Sequence, residues 1–293
     1  MSETTHLFTS ITANYLPKAR VLAHSAKRQG ADIRFHVLLC DDYPADMERA
    51  TEPFDSIIDV EELPIPDVES WLFGHTVVEM CTAVKAMGFL EIIRRYSAEK
   101  IFYFDPDIVI MSGLEGLIDR LDRHSILLTP HQITPEQSQD AVIDNEICSL
   151  KHGVFNLGFL GVRARGEGLQ FLNWWAERLR YFCHDDIAGG LFTDQRFIDF
   201  VPAFYRCCVC RDPSLNVAYW NVFQRRFEHG LRDRRGHAST RLLVGAGLGL
   251  DDHGHRHLGV FHGREGGKQR MVALVLLQQP GVVLGVLAPG HGL

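Results

Sequence analysis

The chain has 293 residues, 46% of them hydrophobic, and a formal net charge of −7 at pH 7. This length and composition suit one large α/β domain or two small ones, and the negative charge gives no reason to expect nucleic-acid binding. The first residues contain neither the basic nor the apolar segment of a secretory signal, which favours a cytoplasmic protein. Seven cysteines at irregular spacing do not predict a disulfide framework.

Strand and helix patterns alternate along the chain and predict a mostly parallel, three-layer α/β sheet. Short apolar runs predict strands, and apolar residues at three- and four-residue spacing predict helices. Strands are predicted at residues 6–9, 33–40, 57–60, 101–104, 125–128 and 207–210, and residues 153–162 form an apolar run punctuated by glycines. Helices are predicted at residues 16–29, 77–96, 114–121, 168–182 and 193–200.

Asp105 and Asp107 directly follow the apolar run 101–104, with Pro106 between them. Because an unpaired buried charge costs several kcal/mol, we expect both carboxylates where the strand leaves the sheet. Two carboxylates at this spacing can share Mg²⁺ or Mn²⁺, which also takes oxygen ligands from substrate phosphates. An ordinary polar turn is the alternative, and the buried strand before it favours the metal site.

Polar residues also follow the other predicted strands. Asn14 and Tyr15 come after the first strand, and Asp41 comes after the second. Open α/β sheets bind their ligands at the carboxyl ends of the strands, so we expect these residues to converge with Asp105 and Asp107. An amide and an aromatic ring suit a nucleotide base and ribose. The alternative for Asn14 and Tyr15 is an ordinary loop before a helix.

Six motifs follow one another along the chain in a characteristic order and spacing. They are residues 10–23, Cys81-Thr-Ala-Val-Lys85, Phe-Tyr-Phe-Asp-Pro-Asp, Val154-Phe-Asn-Leu-Gly-Phe159, Thr193-Asp-Gln195 and residues 211–221. Together they resemble bacterial GT-A-fold glycosyltransferases of the retaining, nucleotide-sugar-dependent group around family 8, over about residues 5–223. The resemblance implies a GT-A-like fold and transfer of a sugar, with retention, from a nucleotide-diphosphate donor such as a UDP-sugar. A saccharide or other hydroxyl compound would be the acceptor.

The resemblance also implies roles at the donor diphosphate. Asp107 would bind Mn²⁺ or Mg²⁺ directly, and Asp105 would bind the metal or reach the ribose. The metal would stabilise the charge that builds on the nucleoside diphosphate. Lys85 matches a basic residue near the donor, and a solvated helix lysine is the alternative.

At the sugar, Asn156 and Gly158 match an Asn-X-Gly element beside the pocket, where glycine lets the backbone approach the ligand. Asp194 matches a carboxylate that accepts hydrogen bonds from sugar hydroxyls, and Gln195 matches a residue beside the anomeric carbon. The alternative for Asp194 is a carboxylate favoured by the dipole at a helix N-terminus.

The resemblance ends near residue 223. Residues 1–223 carry a net charge of −12, whereas residues 224–293 carry a net charge of +5. Of the 26 glycines in the chain, 14 lie at or after Gly230. We therefore predict a domain at residues 1–223 and an atypical tail, disordered or translated out of frame, at 224–293. His262 has a spacing to Lys268 like that of the family's third metal ligand, although its neighbours differ.

Two further hypotheses concern function. A nucleotidyltransferase can share such a sheet and metal, but the loop at residues 10–15 has no glycine for a phosphate-binding loop. A GT-A-like domain that binds a nucleotide sugar without turning it over is the second rival. The interrupted apolar stretch at residues 271–288 is too short in each half to span a bilayer, and a peripheral membrane contact through Arg264, Lys268 and Arg270 is a further alternative.

Overall fold

The computed structural model describes residues 4–30, 32–218 and 221, together with the backbone of 226–228, 241–243 and 274–276. The strands are β1 (Thr5–Ile11), β2 (Ile33–Leu39), β3 (Ser56–Asp59), β4 (Lys100–Phe104), β5 (Ile108–Ile110), β6 (Ile126–Pro130), β7 (Phe155–Arg163), β8 (Cys208–Val209), β9 (Arg226–Glu228), β10 (Arg241–Leu243) and β11 (Leu274–Leu276).

The α-helices are α1 (Leu16–Lys27), α2 (Val68–Phe73), α3 (Val77–Ala83), α4 (Lys85–Tyr96), α5 (Glu115–Arg123), α6 (Gln139–Ala141), α7 (Cys148–His152), α8 (Glu167–Phe182) and α9 (Val201–Phe204). A π-helical segment, Val142–Ile147, joins α6 to α7. Short 3₁₀ turns lie at Ala13–Tyr15, Arg49–Thr51, Val60–Glu62 and Arg196–Phe200.

Seven strands form the main sheet in the order β3-β2-β1-β4-β7-β6-β8. Every neighbouring pair is parallel except those that β7 makes with β4 and β6. The prediction of a mostly parallel sheet is therefore confirmed. Of the described strands in the predicted tail, β9 pairs with β10, and β11 pairs with β5, both antiparallel. A domain boundary at residue 223 stays a prediction.

Alternate residues of each strand enter two separate cores, one on each face of the sheet. In β4, Phe102 and Phe104 pack with α1 and α5, whereas Ile101 and Tyr103 pack with α4 and α8. This alternation is the period-two pattern of a strand covered on both faces. It confirms the three-layer arrangement, and it puts Tyr103 and Asp105 on the same side of their strand as α4.

The single helix predicted at residues 77–96 is helical as expected, but it is divided into α3 and α4 by a break at Val84. Helix α3 begins with a capping box in which Thr76 N donates to Glu79 and Glu79 N donates to the Thr76 hydroxyl. Near its end, the Thr82 hydroxyl donates to the carbonyls of Val78 (2.8 Å) and Glu79 (3.0 Å), a back-bonding that bends helices. Helix α4 then starts at Lys85, so this lysine lies at the beginning of the helix rather than in its middle.

Other elements also differ from the sequence-based expectation. The helix predicted at residues 193–200 is a 3₁₀ turn that begins only at Arg196. Helix α2 and the helical segment of residues 139–152 were not predicted, because neither has a long apolar period. All seven cysteines are free thiols, and residues 208–209 form a short strand as predicted. Of the helices in the described part of the chain, none combines the length and apolar character needed to cross a bilayer.

A buried pair of histidines lies between β1, β2 and the end of α4. His6 Nδ1 is 2.9 Å from His36 Nε2, and His36 Nδ1 is 2.8 Å from the Ser56 hydroxyl. The Tyr96 ring stacks on both imidazoles. Burial is the main cause that lowers the pKa of His6 to about 4 and that of His36 to about 3. Both side chains are therefore neutral in the folded protein near pH 7.

This pair predicts acid sensitivity. Because the folded-state pKa values lie below the unfolded value of 6.5, the unfolded chain binds protons first as pH falls. The free energy of unfolding should therefore fall below about pH 6.5, by up to about 1.4 kcal/mol per pH unit for each histidine. Urea unfolding between about pH 7 and pH 5 measures this slope. His36→Phe should reduce this slope, whereas His24→Gln, which replaces an exposed histidine, should leave it unchanged. Equal slopes in the wild type and both variants would show that the buried pair does not cause the acid sensitivity.

Candidate functional site

The two aspartates lie where β4 leaves the sheet, as predicted. The Asp105 N–H donates to the Gly158 carbonyl (2.8 Å), and the Ile108 N–H donates to the Asp105 carbonyl (3.1 Å), which closes a tight turn before β5. Both carboxylates are half-buried. Burial, together with the charge of Asp105, raises the pKa of Asp107 to about 7, although Lys18 acts in the opposite direction. The turn therefore brings two carboxylates close enough together for each to act on the other.

Lys85 connects this turn to a third aspartate. Its side chain is 3% exposed, and its Nζ lies 3.0 Å from Asp194 Oδ2 and 3.4 Å from Asp105 Oδ1. The same ammonium donates to the Leu157 carbonyl (3.1 Å) and lies over the Tyr103 ring. Burial lowers the pKa of Lys85, but the charges of Asp105 and Asp194 outweigh it and hold the pKa well above its usual value. The alternative of a solvated lysine is wrong.

Asp194 is buried in a strained turn. The residue before it, Thr193, has a φ of +41°, and the Thr193 hydroxyl donates to Asp194 Oδ1 (3.2 Å). A non-glycine residue at positive φ costs free energy and is often found at functional sites. Burial raises the pKa of Asp194, and Lys85 opposes that rise. The 3₁₀ turn begins only at Arg196, and Asp194 is not its capping residue. Asp194 pairs with Lys85 instead, so the alternative of a carboxylate at a helix N-terminus is wrong.

Gln195 is fixed between two backbone segments. Its Nε2 donates to the His152 carbonyl (2.9 Å), and its Oε1 accepts from the Leu157 N–H (3.1 Å). Each of these two bonds ties the 193–195 turn to another part of the fold, α7 in one case and β7 in the other. The side chain is 8% exposed, so the amide has one defined orientation beside Lys85.

Asn156 is held in a similar way. Its Oδ1 accepts from the Gly158 N–H (3.0 Å), and its Nδ2 donates to His131 Nε2 (3.2 Å). Burial lowers the pKa of His131 to about 4, so the ring is neutral near pH 7. Its Nδ1 lies 3.3 Å from the Val154 carbonyl and donates to it, which leaves Nε2 as the acceptor. Gly158 in turn accepts the Asp105 N–H. The predicted Asn156-X-Gly158 element therefore contacts the aspartate turn directly.

Asn14, Tyr15 and Asp41 form the other side of the region. The Ala13 N–H donates to Asp41 Oδ1 (2.7 Å), and the Thr12 hydroxyl donates to Asn14 Oδ1 (2.6 Å). Lys18 lies over the Tyr15 ring, 4.4 Å from its centroid, and its charge also acts on Asp107. The carboxyl ends of β1, β2 and β4 thus share one edge of the sheet, and Asn14 and Tyr15 remain exposed there.

The donor set suits a hard divalent cation. Asp105 and Asp107 supply carboxylate oxygens, and in the described part of the chain Asp105 Oδ2 has no hydrogen-bond partner. No group of three or more His, Cys, Asp or Glu side chains among the described residues is arranged to hold a metal ion. A bound diphosphate and water can complete the ligands of Mg²⁺ or Mn²⁺. His262, predicted as a third ligand, lies outside the described residues.

Sequence reasoning missed several residues that build this site. They are Ser10, Tyr103, His131, His152 and Leu157. Tyr103 could have been found, because it lies two residues before Asp105 on one strand and both side chains must point to the same side. His152 and Leu157 act through backbone carbonyls, which carry no residue-specific signal.

Comparison with known proteins gives distant similarities. No family model matches the chain. The uncharacterized protein YfnF of Bacillus subtilis (strain 168) is 25% identical over 152 residues, which are 51% of this chain and 49% of YfnF. The matched region thus spans about half the length of that relative.

Several glycosyltransferases are among the solved structures that the chain resembles. The galactosyltransferase LgtC in complex with donor and acceptor sugar analogs is 17% identical, with a TM-score of 0.45, over 74% of this chain and 77% of LgtC. The glycosyltransferase GlyE of Streptococcus pneumoniae TIGR4 is 13% identical, with a TM-score of 0.46, over 73% of this chain and 46% of GlyE. Mouse xyloside xylosyltransferase 1 is 13% identical, with a TM-score of 0.44, over 76% and 90%. Likenesses of this size do not assign the chain to a family.

The ion cluster at Lys85 yields a stability prediction. Lys85→Met leaves Asp194 buried without its cation, and breaking a buried pair in this way should lower the free energy of unfolding by about 3–5 kcal/mol. Lys85→Met with Asp194→Asn should recover a measurable part of the loss, because a neutral amide costs less to bury than a carboxylate. Urea unfolding tests both variants, with Lys18→Met as the exposed-lysine control. No recovery in the double variant would mean that the charge of Asp194 is not what Lys85 compensates.

Proposed function

We propose that this chain is a metal-dependent glycosyltransferase of the GT-A type, which transfers a sugar from a nucleotide-diphosphate donor to a hydroxyl acceptor. The observation that carries the proposal is the ion cluster in which Lys85 joins Asp105, at the end of β4, to Asp194. A carboxylate turn suited to a metal and a carboxylate–amide turn suited to sugar hydroxyls thus contact the same buried cation.

The metal would be Mn²⁺ or Mg²⁺, held by Asp105 and Asp107. When bound, it supplies positive charge that stabilises the diphosphate as the bond to the sugar breaks. Asp107 suits this role because it is half-buried and lies beside a second carboxylate, Asp105, whose charge raises its pKa. The repulsion between the two carboxylates is unfavourable without a ligand, and a bound cation would relieve it.

The donor's nucleoside would lie beside the edge formed by Asn14, Tyr15 and Asp41. The exposed Tyr15 ring offers a flat surface to a base, and the Asn14 amide offers hydrogen bonds. The expected donor is a UDP-sugar. This assignment follows the sequence resemblance.

The sugar would lie between Asp194, Gln195 and Asn156. Both amide side chains are fixed by hydrogen bonds to the protein, so each presents its remaining hydrogen-bonding capacity in one direction. Such preorganised groups bind a polar ligand without first having to be ordered. Retention of configuration is part of the proposal, and no side chain is assigned as the catalytic base.

A thermal-shift screen tests the proposal first. Nucleotide sugars with Mn²⁺ should raise the melting temperature, because a ligand that binds only the folded state stabilises it by mass action. Hydrolysis of the stabilising donor in the presence of Mn²⁺ then separates an enzyme from a protein that only binds the nucleotide sugar. A nucleotidyltransferase would instead respond to a nucleoside triphosphate.

Asp107→Asn should abolish metal-dependent binding of UDP while the protein stays folded. It removes one of two charged ligands, yet an aspartate at the end of a strand contributes little to the core. Calorimetric titration with UDP and Mn²⁺ measures the effect, and Asp46→Asn, which neutralises an exposed aspartate elsewhere, is the matched control. Unchanged metal-dependent affinity in Asp107→Asn would rule out the metal assignment.

Asp194→Asn should lose turnover and discrimination between donor sugars, while the affinity for UDP with Mn²⁺ stays within a few-fold of the wild type. An amide cannot accept hydrogen bonds from sugar hydroxyls as a carboxylate does, and a hydrogen bond to a charged group contributes about 1.5–3 kcal/mol. Donor hydrolysis across a panel of UDP-sugars and titration with plain UDP make the comparison. An equal loss of UDP affinity would place Asp194 at the nucleotide or in the fold instead.

A further inference from the structure

Tyr103 lies against the ion cluster that Lys85 forms with Asp105 and Asp194. Its side chain is 1% exposed, and it shares the α4 side of strand β4 with Asp105. Its hydroxyl donates to Asp105 Oδ1 at 2.8 Å. The Lys85 ammonium lies 4.3 Å from the centroid of its ring. One buried tyrosine therefore contacts both the cation and one carboxylate of the cluster.

The Tyr103 hydroxyl is fixed in place. The Ser10 hydroxyl lies 3.2 Å from it, and Ser10 itself donates to the Cys81 carbonyl at 2.6 Å. The Phe8 ring packs edge-on against the Tyr103 ring. The proton of Ser10 is thus used elsewhere, and the proton of Tyr103 is directed at Asp105.

These contacts occupy one side of the Asp105 carboxylate. Oδ1 takes the Tyr103 hydroxyl and the Lys85 ammonium, whereas Oδ2 has no hydrogen-bond partner in the described part of the chain. A carboxylate held at one oxygen can rotate little about its last bond. Its other oxygen then has one defined direction.

We infer that Tyr103 is a positioning residue, which holds Asp105 so that Oδ2 is the oxygen presented to the metal–nucleotide ligand. This inference rests on the proposed function, because it takes Asp105 as a ligand of Mn²⁺ or Mg²⁺. Groups that orient metal ligands in this way typically change metal affinity about 10–100-fold when they are removed. Tyr103 does not touch the substrate, so its effect is on metal affinity and reaches turnover only through the bound metal.

Tyr103→Phe is the direct test, because phenylalanine fills the same volume and keeps the ring beneath Lys85 but removes the donor. The concentration of Mn²⁺ that half-saturates the protein in the presence of UDP, measured by the loss of the free Mn²⁺ signal in electron paramagnetic resonance, should rise about tenfold. At saturating Mn²⁺, the affinity for UDP should return to the wild-type value. Recovery distinguishes a displaced ligand from a damaged fold.

Tyr205→Phe is the matched control, because it removes a tyrosine hydroxyl from the aromatic cluster of Phe171 and Trp174. It should leave the Mn²⁺ dependence unchanged. Circular dichroism and thermal unfolding of both variants verify that each is folded at the temperature of the titration.

The possible outcomes are distinct. If the wild type binds UDP with Mn²⁺, Asp107→Asn does not, and Tyr103→Phe matches the wild type, the inference is overturned while the proposed function stands. A loss of affinity in Tyr103→Phe that excess Mn²⁺ does not restore would show a structural role and would also overturn it. A wild type that does not bind UDP with Mn²⁺ overturns both.

Discussion

The buried ammonium of Lys85 is the interaction on which the candidate site depends. Removing a charge from water costs several kcal/mol, and the cost is recovered only with close partners of opposite charge. Lys85 finds them in Asp194 at 3.0 Å and Asp105 at 3.4 Å. Because these three residues come from α4, the 193–195 turn and the end of β4, one cation fixes the relative positions of three segments.

Hydrogen bonds made by two amide side chains complete this frame. Gln195 joins the His152 carbonyl to the Leu157 N–H, and Asn156 joins Gly158 to His131. These hydrogen bonds orient the two neutral amide groups, so no additional charge has to be buried to hold them in place. The polar groups of the site are consequently oriented before any ligand arrives, which is the condition under which electrostatic stabilisation is most effective.

The strained turn at Thr193 is supported from outside the site. Glu79 caps helix α3 through Thr76 and also accepts the Asp185 N–H at 2.8 Å, which attaches the loop before the turn to that helix. The Thr193 N–H then donates to the His184 carbonyl. The carboxylate that caps helix α3 therefore also holds the loop that supports the turn at Thr193.

The layers of this protein and the position of the aspartate turn could be predicted from the sequence alone. Apolar runs and helical periodicity are local properties, so the strands, most helices and the exit of Asp105 and Asp107 from the sheet follow from short segments. The late start of the 3₁₀ turn at Arg196 and the burial of Lys85 were decided by tertiary structure. Each depends on partners far away in the chain: Lys85 is solvated or buried according to whether Asp194, more than a hundred residues later, is close enough to compensate its charge.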